Sequence, residues 1–243
     1  MCGRYVMAKA IGDLVAEAEA EADANLELRQ SWNVAPTTDV PIVLERLVDG
    51  EVRRQIHVAR WGLVPGWAKD LSVGVRAFNA RSETVEEKPT FRSAVKKRRA
   101  AVPVQGYYEW RKEAGGKKRP FFVYHPEGRL IFFAGLYEWW KDADESWILS
   151  TTILTMDAPP EQAPGILGEL AGLHDRLPIP MDAQMMAYWL DPEQPDASAL
   201  IGQLREQAHE VAASWTMHEV DSAVGNVRND YAELVEPHSS SLF

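Results

Sequence analysis

Between residues 40 and 155, runs of β-branched and aromatic residues recur at hairpin spacing, and this confines the chain to a sheet-rich fold. Asp49-Gly50 is a two-residue hairpin signal between strands expected at 40–48 and 51–61. Downstream, AAVPV and YYEWRK read as strands, AGGKKR as a hairpin tip, and PFFVYH as the returning strand. Pro126 to Gly128 marks the next turn, 131–155 is strand-rich, and a last strand is expected at 215–220. Residues 62–75, with glycines and a proline, read as a loop. Helices are expected on either side of these strands. One is acidic and amphipathic over 7–28, with Leu14, Val15, Leu26 and Leu28 facing inward. A short basic helix follows at 89–99, with others at 182–190 and 197–213. Strands gathered in the middle with helices around them predict an α+β fold. It is a single compact domain over 1–236, with an antiparallel β-barrel-like core flanked by helices. A frayed tail is expected over 237–243, and no repeat or linker divides the chain.

The composition is that of an ordinary globular protein, 46% hydrophobic and 26% charged. Its apolar runs fall short of the roughly 20 residues a membrane helix needs, and no secretory leader is expected. The one cysteine excludes an intrachain disulfide and a Cys-rich zinc site, and suits a reducing cytoplasm. Net charge is −10, which alone argues against nucleic acid, yet residues 76–119 hold 13 of the 26 Lys and Arg against five acids. Local field governs the approach of a polyanion, although a charge run of this kind also suits a solvated surface.

The cysteine is residue 2. Loss of Met1 would leave an α-amine and a thiol on adjacent carbons. With a reference pKa near 7.8, about 14% of such an amine is neutral at pH 7, against about 0.04% of a lysine. A 1,2-aminothiol can attack an aldehyde to give an imine, which the thiol closes to a thiazolidine. The same group could act as an N-terminal nucleophile on an amide. Three further residues stand in suggestive settings. Glu109 lies between aromatics in G-Y-Y-E-W, where burial would raise its pKa and suit it to acid or base work. Alternation equally allows it to face solvent. His174, beside Asp175 and Arg176, is a usable proton shuttle or a plain surface histidine. Asn79 in F-N-A-R-S-E-T could orient a nucleophile or simply cap a turn. Of nine tryptophans, Trp67 and Trp110 are the candidates for stacking on bases.

Seven strings occur in order: M-C-G-R-Y, W-N-V-A-P-T, R-W-G-L-V-P-G-W, N-A-R-S-E-T, G-Y-Y-E-W, H-D-R-L-P and A-V-G-N-V-R-N. Together they resemble the SOS-response-associated peptidase (SRAP) family, whose members process abasic sites in single-stranded DNA. The resemblance runs from Cys2 to about residue 235. It implies that Met1 is lost and that Cys2 forms a thiazolidine with the ring-opened sugar, shielding the lesion from strand cleavage. Asn79 would hold the cysteine amine and sugar, Glu109 would assist ring opening, and His174 would shuttle protons. Arg4, Arg81 and Arg176 match arginines at DNA phosphates or the rim of the site, and Trp67 and Trp110 match aromatics at the DNA surface. Ala68 departs from the pattern, standing where some members carry a second aromatic. No cofactor and no metal are expected, since no metal-ligand spacing occurs. The expected partner is single-stranded DNA containing abasic sites, with no membrane, a monomeric state and a cytoplasmic or nucleoid location. Two rival readings are a cysteine-type peptidase using Cys2 and a non-catalytic single-strand binding module.

Overall fold

The computed structural model describes residues 2–113 and 115–238. Five strands close the expected barrel: β3 (Asp39–Val48), β4 (Glu51–Trp61), β6 (Arg99–Val104), β9 (Ile131–Lys141) and β10 (Trp147–Asp157). Each pairs with the next around the ring, antiparallel throughout except where β10 closes on β4 in parallel, Ser150 opposite Arg60. Asp49 and Gly50 both have positive φ (53° and 84°), as a two-residue hairpin turn demands. Ile42, Val102, Phe133 and Ile153 are fully buried. Leu154, beside Ile153 but on the opposite face of its strand, is also 0% exposed. The barrel wall is therefore covered outside as well as filled inside. Helix α4 (Ala183–Leu190) covers part of it, held by the Trp189 indole N–H, which donates to Ala100 O at 3.0 Å. Helix α5 (Ala197–Ala212) packs beside α4.

A second, five-stranded antiparallel sheet lies alongside. Its order is β13 (Thr216–Glu219), β8 (Lys118–Tyr124), β7 (Gly106–Lys112), β1 (Tyr5–Met7) and β2 (Ser31–Val34). A Cβ on Gly106 would fall 2.5 Å from Val123 O, so the tight β7–β8 pairing needs glycine at the head of the G-Y-Y-E-W string. Short strands β5 (Asn79–Arg81) and β11 (Arg176–Pro178) flank β10, and β12 (Pro180–Met181) pairs with β9.

Two helices are shorter than the sequence predicts. The acidic helix expected over 7–28 is α1, Ile11–Ala18 only. Residues 5–7 pair instead with β2 and β7, Glu19 turns left-handed (φ 49°), and Glu21 bridges Gln55. Tertiary pairing overrides the helix propensity of an Ala/Glu run. The basic helix expected over 89–99 is α2, Ala94–Lys97, because Arg99 already belongs to β6. The remaining helix is α3 (Ile166–Ala171). The expected loop at 62–75 holds one 3₁₀ turn, Leu71–Arg76. Of the tail expected to fray, 239–243 lie outside the described residues, while the His238 N–H donates to Glu219 O at 2.7 Å. Among the described residues no helix is long and apolar enough to cross a membrane.

Candidate active site

Three strands and a turn converge on Cys2. The residue precedes β1, whose Tyr5 pairs with Tyr107 of β7, and its thiol is wholly buried. Asn79, first residue of β5, donates from Nδ2 to Cys2 O at 2.8 Å. Its Oδ1 is buried without a protein partner, an acceptor left open beside the cysteine. Glu109 on β7 is 7% exposed, so alternation along the strand turns it inward with Tyr107. The Trp110 N–H donates to its Oε1 at 3.2 Å.

The electrostatics of these groups interlock. Burial, and then the Glu109 charge, push the Cys2 thiol far above its ordinary range. Burial raises the Glu109 carboxyl too, with a further push from Asp175. His174 lies in the turn before β11. Burial foremost lowers its pKa, with Lys112 and Arg176 acting the same way and Asp175 opposing. Its Nδ1 accepts the Arg176 backbone N–H at 3.0 Å and lies 2.5 Å from Asp175 Oδ1. When the ring charges, the Asp175 carboxylate is placed to accept from Nδ1. Tyr5, fully buried against Trp61 at 4.8 Å between centroids, holds a hydroxyl with no protein partner; burial and the neighbouring Cys2 raise its pKa. The sequence analysis did not single it out, although it closes the M-C-G-R-Y string.

The expected DNA-facing residues divide into three groups. Arg4 and Trp110 lie together, with the guanidinium 5.8 Å over the indole. Arg4 also donates to Asn33 Oδ1 at 3.0 Å and Val224 O at 2.7 Å. Asn33 was not singled out either; its Nδ2 serves Val224 O, Asn226 O and Asn229 O, tying the W-N-V-A-P-T and A-V-G-N-V-R-N strings together. Trp67 stands on a separate loop, 60% exposed, and Arg81 ends β5 in solvent. Ala68 is buried, and its carbonyl accepts the Trp140 indole N–H at 2.8 Å. Arg176 differs from the other arginines: it is 7% exposed, and its guanidinium faces Glu83, Asp157 and Thr155. Among the described residues no three His, Cys, Asp or Glu side chains gather as for a metal ion.

A small barrel thus brings together a buried cysteine at position 2, an amide bonded to its carbonyl, a carboxyl of raised pKa and an imidazole of lowered pKa, groups of the kind that nucleophile and proton-transfer chemistry uses. Residues 1–227 match the SOS response associated peptidase (SRAP) family, and the chain belongs to that family. It is 31% identical over 239 residues to the abasic site processing protein YoqW of Bacillus subtilis, covering 98% of this chain and 100% of the relative. Identity to the abasic site processing protein YedK of Escherichia coli is 30% over 249 residues, with 98% and 100% coverage. A crystal structure of a protein from Bacteroides thetaiotaomicron shares the fold, with a TM-score of 0.75 at 22% identity over 98% of this chain and 100% of that one.

Proposed function

We propose that this protein processes abasic sites in single-stranded DNA by capturing the ring-opened sugar on Cys2 as a thiazolidine. The observation that carries the reading is the meeting of four motif strings at one residue: Asn79 bonded to Cys2, Glu109 acting on its thiol, and His174 beside Asp175, which acts on Glu109. The relatives named above process abasic sites, and the site chemistry suits an aldehyde.

With Met1 removed, the neutral Cys2 amine adds to the C1′ aldehyde and water leaves, giving an imine. The thiol then adds across the C=N bond; sulfur bonds to carbon and the thiol proton ends on nitrogen. The balance is one strand added and one water lost. Burial that keeps the thiol protonated gives the amine the first step and reserves sulfur for the second. Glu109, its carboxyl raised by burial, can lend a proton to the departing ring oxygen or hydroxyl. His174 relays the thiol proton to the imine nitrogen at closure. Asn79 fixes the cysteine carbonyl and hence the direction of the amine. Arg4, Arg81 and the basic 76–119 segment hold phosphates, and Trp67 and Trp110 stack on bases.

The test is the intact mass of mature protein and of its product with a synthetic abasic oligonucleotide. The expected result is absence of Met1 and addition of one strand less one water. Cys2→Ser should form no heat-stable adduct; a Cys2→Ser adduct as stable as wild type sinks the mechanism. A peptide library left uncut beside rapid DNA capture separates this reading from a peptidase.

A further inference from the structure

Strand β10 separates the strings that hold Asn79 and His174. On one edge its Thr155 pairs with Arg81 of β5, and on the other the same residue pairs with Pro178 of β11. The Arg176 side chain crosses between them. Its Nη1 and Nη2 reach the two Glu83 oxygens at 3.1 and 2.7 Å, Nη2 donates to Thr155 O at 2.8 Å, and Nη1 also meets Asp157. Glu83 lies four residues beyond Asn79, and the Arg176 backbone N–H is the donor that holds His174 Nδ1. One residue thus grips the imidazole through its main chain and the asparagine segment through its side chain. Burial alone would push the Glu83 carboxyl up, yet the Arg176 guanidinium holds it below its usual range.

We propose that Glu83 and Arg176 are positioning residues, a two-pronged pair of a buried guanidinium and a carboxylate at the surface that sets the spacing between Asn79 and His174 around Cys2. The proposal rests on the thiazolidine reading. It assigns Arg176 a role other than the phosphate contact its motif suggests, because a phosphate would have to displace Glu83 from the guanidinium. A fork-to-fork pair suits the task, since two parallel bonds fix orientation as well as distance.

Two variants test it. Arg176→Lys keeps the positive charge but cannot form the fork; Glu83→Gln keeps the shape and removes the charge. For each, affinity is measured with a single strand carrying a tetrahydrofuran abasic analogue, which has no aldehyde. The cross-linking rate is measured with a genuine abasic strand at saturating protein. Both are read well below each variant's thermal midpoint, where lost stability alone leaves the folded fraction unchanged. The expected result is a rate lower by about tenfold or more, as small misplacements of reacting groups produce, with affinity held within about threefold. Cross-linking of both variants at the wild-type rate overturns the proposal. So does tighter binding by Glu83→Gln with an unchanged rate, the signature of a phosphate-binding arginine set free. Should Glu83→Gln not fold, Arg176→Lys alone decides. Wild-type protein that forms no adduct refutes the thiazolidine reading instead, a result distinct from variants that match a working wild type.

Discussion

Asn33→Ala tests how the rim of the site is held. The Asn33 amide accepts from Arg4 Nη1 at 3.0 Å and donates to three carbonyls, Val224 O at 3.2 Å, Asn226 O at 3.1 Å and Asn229 O at 2.7 Å. Two N–H bonds cannot fully serve three acceptors, so the donor side counts as about two neutral hydrogen bonds, each worth roughly 0.5–1.5 kcal/mol. The bond from the Arg4 guanidinium is charge-assisted and worth about 1.5–3 kcal/mol, less what water restores at this half-buried site. The expected net loss is about 3 kcal/mol. For a domain of this length each kcal/mol lowers Tm by about 2–4 °C, so the drop should be roughly 6–12 °C. Calorimetry on Asn33→Ala against Asn25→Ala, an exposed control, measures it. Hydrogen exchange should show lost protection centred on 223–229, where Asn229 Nδ2 also bonds Ala223 O at 2.8 Å. A drop of less than about 2 °C, or protection lost evenly across the domain, would refute the assignment of Asn33 as the clamp.

Glu109→Gln should alter the pH dependence of stability. Burial raises this carboxyl, so the folded chain binds an extra proton between the ordinary value of 4.5 and the raised one, and stability falls as pH climbs through that interval. In the glutamine variant this fall is absent and cross-linking slows by about 10²-fold; parallel Tm–pH curves for the two proteins count against a raised carboxyl. Trp67→Ala should leave Tm within a degree or two, because the ring is 60% exposed, and weaken single-strand binding by about 1–3 kcal/mol. Unchanged affinity removes Trp67 from the DNA path. Arg81→Gln should reduce the slope of log K against log salt by about 0.7, the share of one phosphate on a single strand; an unchanged slope places Arg81 off the backbone.

Local patterning determined much of this protein. The Asp49-Gly50 turn, the β7–β8 hairpin and the long β9 and β10 strands are legible because alternation and turn chemistry act between near neighbours. Cys2, Asn79, Glu109 and His174, the residues of the proposed site, each stand in one of the short strings that carry the family resemblance. The helix ends were not legible, because what stops α1 is the pairing of residues 5–7 with distant strands and the bridge from Glu21 to Gln55.

Tertiary structure alone decided three things. Glu109 could have faced water, and it is buried because the β7–β8 sheet turns that side of the strand inward with Tyr107. Arg176 stands in the same string as His174, but its guanidinium is paired with Glu83, 93 residues away in sequence and across β10. The barrel closes through a parallel seam between β4 and β10, which no hairpin rule anticipates. Sequence period records how a segment meets its neighbours, whereas desolvation and pairing of charge depend on which remote segments arrive beside it.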